Sequence, residues 1–160
     1  MTKSKKIILL DLDDTLFNTD KFKSSDLTAY ELYDEVNEAL TKLATVATLG
    51  IFSQGEIAFQ HNKLQKTNIK KFFNEEHIHI VEYKLGVIHD FLERYAKSGT
   101  IYFIDDRLPN LHMAKESEPS IVTIWMRRGR YAKTQEKITD FTPDYVIQNL
   151  QEALPVINRG

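Results

Sequence analysis

The chain has no cysteine. That removes disulfides, thiolate catalysis and cysteine-ligated zinc or iron–sulfur centres, and leaves oxygen and imidazole as metal ligands. Neither charge dominates: 21 Lys and Arg stand against 23 Asp and Glu, for a net charge of −2. No global field therefore attracts nucleic acid or an anionic membrane, and any basic site must be local. Long apolar runs are lacking too. No segment approaches the ~18 residues of a spanning helix, and Ile7-Ile8-Leu9-Leu10, after a basic start, meets Asp11 too soon to be a signal sequence. A cytoplasmic protein without a membrane partner is expected. No repeat or low-complexity linker divides the chain, and 160 residues with 42% hydrophobic content suit a single domain spanning 1–160.

What the sequence does have is alternation. Ile7 to Leu10 is a continuous apolar run of β-formers ending in acids, the pattern of a strand buried on both faces in a parallel sheet. Phe17 to Asp26 reads as irregular. Thr28-x-x-Glu31 offers a capping box, and Leu32, Val36, Ala39, Leu40 and Leu43 share one helical face, which predicts a helix from about 28 to 45. Strands follow at Leu49–Phe52, His77–Val81 and Thr100–Ile104, with helices at Glu56–Lys66 and Lys84–Tyr95 between them. A short helix near 108–116, a strand over Ile121–Met126 and a strand–helix pair from Tyr145 to Ile157 complete a three-layer, doubly wound α/β arrangement on a parallel sheet.

In such sheets ligands bind beyond the carboxyl ends of the strands. The residues there are Asp11, Asp13 and Thr15 after the first strand, Ser53 after the second, Lys84 just past the third, and Asp105-Asp106 after the fourth. Four carboxylates at one edge repel one another unless a cation compensates, and an all-oxygen set shared with phosphate favours Mg²⁺. Such a metal offsets charge on a transferring phosphoryl group. Asp11 suits the role of nucleophile, forming an aspartyl-phosphate, and Asp13 that of acid/base for the leaving oxygen and then for water. Ser53 and the backbone N–H groups of Gln54 and Gly55 are positioned to hold phosphate oxygens, and Lys84 to supply a point charge.

The run Leu9-Leu10-Asp11-Leu12-Asp13-Asp14-Thr15-Leu16 resembles the first motif of the haloacid dehalogenase (HAD) superfamily, and Ser53, Lys84 and Asp105-Asp106 resemble its second, third and fourth motifs in order. The resemblance spans nearly the whole chain. It implies a Rossmann-like fold, Mg²⁺ and an aspartyl intermediate on Asp11, and an aspartate at Asp13 resembles the phosphatase branch. It also implies a metal held by Asp11, by the backbone carbonyl of Asp13 and by the adjacent acids, with Asp105 the preferred ligand over Asp106. Pro109 stands where many members carry a second acid, and Gln54 where asparagine is frequent. The intervals from Asp11 to Ser53 and from Ser53 to Lys84 leave room for no large cap domain. Two candidates remain to cover the site: Phe17–Asp26 as a flap, with Phe17 and Phe22 as apolar cover, which is the favoured one, and a neighbouring subunit.

The expected function is therefore a Mg²⁺-dependent phosphomonoester hydrolase acting on a small phosphorylated metabolite or nucleotide. Alternatives are a phosphatase of phosphoprotein or nucleic-acid ends, and a receiver-like phosphoacceptor; the early Asp-x-Asp-x-Thr and late adjacent acids argue against receiver order. The clusters Lys63-Lys66-Lys70-Lys71 and Arg127-Arg128-Arg130 read as solvated faces, with Arg128 and Arg130 also placed to flank the pocket. His77 and His79 read as strand packing, and Trp125 and Tyr131 as core and rim.

Overall fold

The computed structural model describes residues 5–160, so residues 1–4 of the basic start lie outside it. Six parallel strands, β1 (Lys6–Leu10), β2 (Thr48–Gln54), β3 (Ile78–Val81), β4 (Thr100–Asp105), β5 (Val122–Met126) and β6 (Tyr145–Ile147), form one sheet in the order β3-β2-β1-β4-β5-β6. The apolar run of β1 is central, and Leu10 pairs with Ile51 on one side and Ile104 on the other. Because successive side chains alternate faces, Ile8 and Leu10 join a core with Leu40, Leu43, Leu64 and Ile157, while Ile7 and Leu9 join Phe52, Ile88, Leu92 and Leu111. Helices α2 (Val36–Leu43), α3 (Ile57–Lys66) and α7 (Ala153–Arg159) thus cover one face, and α4 (Lys84–Ala96) and α5 (Leu108–Ser117) the other. This is the expected three-layer doubly wound fold. The strand order reverses between β1 and β4, which opens a crevice where Asp11 and Asp105-Asp106 emerge.

The helix expected over 28–45 begins only at Val36, and the stretch expected to be irregular contains α1 (Thr19–Ser24). Tertiary pairing overrides the Thr28-x-x-Glu31 capping signal. Asn18 N–H donates to Glu31 O (2.9 Å) and Tyr33 N–H to Leu16 O (3.1 Å), so backbone groups needed for a helix are tied to residues 16–18 instead. The Asn18 side chain caps α1 by accepting from Lys21 N–H.

The expected apolar flap is not found. Phe17 and Phe22 are buried at 0% and 4% exposure; their rings meet at 5.4 Å, and Phe22 also meets Tyr30 at 4.9 Å and Phe59 of α3 at 5.9 Å. They are core, because an aromatic pair gains more from burial against α3 than from half-covering a polar cavity. Among the described residues, neither interval between Asp11, Ser53 and Lys84 holds a further domain, and no helix is long and apolar enough to cross a membrane.

Candidate active site

Immediately after β1 the chain winds into one tight turn: Leu12 O accepts from the N–H groups of Leu16 and Phe17, both at 2.9 Å. Asp14 takes φ 63° inside it, a conformation that Asp tolerates better than most residues. The turn carries Asp11 and Asp13 into a cavity of about 70 Å³, lined also by Gln54, Lys84, Asp106, Arg107, Asn110, Arg130 and Tyr131.

Lys84 opens α4 and is 1% exposed. Its Nζ lies 3.1 Å from Asp11 Oδ1 and 2.8 Å from Asp105 Oδ2. Burial disfavours its charge, but Asp105 and Asp11 together outweigh that and hold the ammonium well above the usual lysine range. Both oxygens of Asp105 accept hydrogen bonds: Arg107 N–H on Oδ1 (2.8 Å), and Lys84 Nζ and Asn110 Nδ2 (3.1 Å) on Oδ2. Asp106 is held differently. Its backbone carbonyl accepts from Trp125 Nε1 (3.0 Å) and Gln135 Nε2 (2.9 Å), while its carboxyl meets Asp11. Burial, then repulsion from Asp11 and Asp105, pushes Asp106 far up, and burial followed by Asp105 raises Asp11. The two form a coupled pair that retains a proton where solvated carboxylates would not.

That strain is what a cation would relieve. Carboxylate oxygens of Asp11, Asp105 and Asp106 lie within 4.8 Å of one another in a buried, all-oxygen set, which fits a hard divalent ion. The two adjacent acids are held differently within this set: Asp105 accepts from Lys84, Asn110 and a backbone N–H, whereas the Asp106 carboxyl meets Asp11.

Asp13 has a separate support. Lys63 Nζ lies 2.8 Å from its Oδ1, and Gln60 Nε2 lies 3.0 Å from its Oδ2. Both residues come from α3, and Lys63 is only 5% exposed, its ammonium 4.5 Å from the Phe59 ring centroid and 5.0 Å from that of Phe17. The run of lysines suggests a solvated face for all four; Lys66, Lys70 and Lys71 are not buried, but Lys63 is. The signal that sets it apart is its helical register: Gln60, Lys63 and buried Leu64 share one face.

Two phosphate-contact expectations change. Ser53 is wholly buried and does not line the cavity; its Oγ accepts from Gln60 Nε2 at 2.9 Å, which steadies the amide that holds Asp13. Gly55 N–H donates to Val81 O (2.9 Å) and is not free for a ligand. Gly55 has φ 154°, and a Cβ there would stand 3.0 Å from the Gln60 side chain, so glycine permits this approach. Gln54 does line the cavity, and its Oε1 accepts from Lys84 N–H at 2.8 Å.

Arg130 lines the cavity as expected, with Nε 3.3 Å from Asp14 Oδ2. Arg128 does not. It makes a two-pronged ion pair with Glu35 (2.8 and 3.0 Å), donates to Thr15 O and lies over Tyr33, which ties the Asp13–Phe17 turn to the start of α2. His77 and His79 both bond Tyr95 Oη, in keeping with strand packing. Asn110, Arg107 and Gln60 carry no sequence signal that marks them for the site.

No family model and no curated protein matches the sequence. Solved structures do. A haloacid dehalogenase-like hydrolase of Burkholderia xenovorans LB400 aligns over 98% of both chains with a TM-score of 0.82 and 16% identity. The chain has the haloacid dehalogenase-like fold. Another protein with this fold, the HAD-hydrolase YfnB of Bacillus subtilis, described as bound to magnesium, aligns over 98% of this chain and 100% of its own at TM-score 0.74 and 14% identity. The L-2-haloacid dehalogenase RSc1362 aligns over the same shares at TM-score 0.73 and 12% identity. Identities this low leave the chemistry of the site to be argued from its own residues.

Proposed function

We propose that the protein is a Mg²⁺-dependent phosphomonoester hydrolase whose nucleophile is Asp11. The observation that carries this reading is the arrangement of two aspartates in one small cavity on separate cationic supports, Asp11 on Lys84 and Asp13 on Lys63. A site that only displaced halide would need the first. Loss of an alkoxide from phosphorus needs a proton, and Asp13 is the carboxyl that faces the same cavity from outside the buried acid cluster.

In the first step an Asp11 oxygen attacks phosphorus, the bond to the leaving oxygen breaks, and Asp13 gives that oxygen its proton. In the second, Asp13 takes a proton from water, the hydroxide attacks phosphorus, and inorganic phosphate leaves with Asp11 regenerated. Lys84 keeps one Asp11 oxygen fixed and offsets phosphate charge, and the Gln54 side chain supplies a further polar wall. Asp11, Asp106, Asp105 and the Asp13 carbonyl would hold Mg²⁺, which when bound supplies charge neutralisation to the phosphoryl oxygens.

The substrate expected is a small phosphate ester. A second reading, phosphoprotein or nucleic-acid ends, draws on the cavity lining: none of its residues comes from the segment between Asp14 and Ser53, so nothing there shuts out a bulky ester.

Phosphate release from p-nitrophenyl phosphate with and without Mg²⁺, for wild type and Asp11→Asn, tests the proposal. Multiple turnovers that stop without Mg²⁺ and fall about 10³-fold or more in Asp11→Asn are expected. A variant within about tenfold of wild type removes the mechanism, and a single phosphorylation event without turnover would make the site a phosphoacceptor.

A further inference from the structure

Two cations at this site are already committed. Lys84 is shared by Asp11 and Asp105, and Lys63 is bound to Asp13. Two others line the cavity, Arg107 and Arg130, with Tyr131 beside both. Their guanidinium carbons lie 4.8 and 4.9 Å from the Tyr131 ring centroid. Among the described residues the Arg107 guanidinium has no carboxylate partner, and Arg130 has only Asp14.

This rim is held in place. Helix α6 (Tyr131–Thr134) is followed by Gln135, whose Nε2 donates to Asp106 O at 2.9 Å and whose Oε1 accepts from Leu108 N–H at 3.0 Å. The segment is thereby fixed to the loop that carries the metal-site acids and Arg107. On its other side Gly129 packs against Asp14 with φ 77°; a Cβ there would come within 2.6 Å of Asp14 Cγ, so only glycine brings Arg130 this close. Arg107 and Tyr131 also wall a second cavity of about 420 Å³, with Pro109, Thr134, Gln135 and Glu136. Glu136 is the carboxylate that lines this second cavity and Arg107 its cation, whereas Arg107 and Arg130 both line the first.

The transferring phosphoryl group has Lys84 and the metal site to meet its charge. A pair of pre-positioned guanidinium groups further out, suited to two-pronged contact with carboxylate or phosphate, serves an anion elsewhere on the substrate. We propose that Arg107 and Arg130, flanking Tyr131, form a second anion subsite that selects phosphate esters whose leaving group bears a further carboxylate or phosphate. The proposal rests on the phosphohydrolase reading for the word ester, but its binding chemistry does not.

Binding of phosphonates, which carry an unreactive P–C bond, separates the two. Propylphosphonate, 3-phosphonopropionate and propane-1,3-bisphosphonate are titrated by calorimetry into the protein in excess Mg²⁺, for wild type, Arg107→Gln, Arg130→Gln and the charge-retaining Arg107→Lys. Wild type is expected to bind at least one of the two doubly anionic compounds about tenfold more tightly than propylphosphonate. Whichever is favoured identifies the second group as carboxylate or phosphate. Either glutamine variant should cut that advantage to about threefold or less, and Arg107→Lys should keep part of it. Equal affinities across the series in wild type, or an undiminished advantage in both glutamine variants, overturns the subsite. Arginine-dependent binding in a protein that hydrolyses no phosphate ester would leave the subsite standing and remove the reaction.

Discussion

Two of the three aspartates that line the cavity, Asp11 and Asp13, sit on different kinds of support. Asp11 belongs to the carboxylate-rich crevice between β1 and β4, where Lys84 is the ammonium among three buried acids. Asp13 lies toward α3, where one lysine wrapped in aromatic rings and one glutamine amide hold its two oxygens separately. The first surroundings favour a charge imbalance that a metal corrects. The second favour a fixed carboxyl orientation. The lesson is that one loop of three residues can present two aspartates to one cavity with each held from a different helix.

The comparison breaks most severely at Lys84. Lys84→Met would leave Asp11 and Asp105 buried without their cation, so stability in metal-free buffer near neutral pH should fall by about 3 kcal/mol and activity should be lost. Denaturant unfolding of the variant, with and without Mg²⁺, measures this; a loss under about 1 kcal/mol would mean that the pair is not what holds the crevice. Lys63→Met should act otherwise, since methionine suits the ring-lined space and stability should change by less than about 1 kcal/mol. Its effect is on orientation of Asp13. Leaving-group release in a single turnover should slow about 30-fold for an alkyl phosphate and much less for p-nitrophenyl phosphate, because in that step only the poor leaving group needs the proton. Equal losses on both esters would make Lys63 merely structural.

Smaller in size is the contrast between the adjacent acids. Asp106→Asn should weaken Mg²⁺ binding by about tenfold or more, whereas Asp105→Asn should show mainly as lost thermal stability through Lys84; Mg²⁺ titrations followed by thermal shift distinguish them. The reverse order would restore Asp105 as the main ligand. The least effect concerns pH. Asp106 and Asp11 are raised in the folded chain, so they bind more protons folded than unfolded, and their contribution is complete below the ordinary carboxylate range and lost as pH rises above it. Metal-free stability should therefore decline from about pH 5 to 8, and saturating Mg²⁺ should cancel the decline. A metal-free profile that rises over that range would contradict the shared proton.

Much of the fold and of the crevice is legible in the amino-acid sequence alone. Uninterrupted apolar runs such as Ile7–Leu10 and Thr100–Ile104 mark central parallel strands because burial on both faces leaves no polar option, and acids at their ends mark the crevice. Lys84 is legible through its place after β3. What is not legible depends on contacts distant in sequence. The pairing of residues 31–33 with 16–18 cancels a local helix signal, and Phe17 and Phe22 look like cover until α3 is packed on them. Lys63 looks solvated in a run of lysines until its helical face is known, and Arg107 and Asn110 sit beside a proline that draws the eye to a missing acid.

The central claim, that Asp11 takes the phosphoryl group and Asp13 is needed to release it, is tested most directly by trapping. Asp13→Asn is mixed with p-nitrophenyl phosphate and Mg²⁺, quenched in acid within one turnover and analysed by peptide mass spectrometry. The leaving group needs no acid but hydrolysis of the intermediate needs a base, so the account predicts a phosphoryl adduct accumulating on Asp11. Release of p-nitrophenol with no adduct, or an adduct on any other residue, would contradict it.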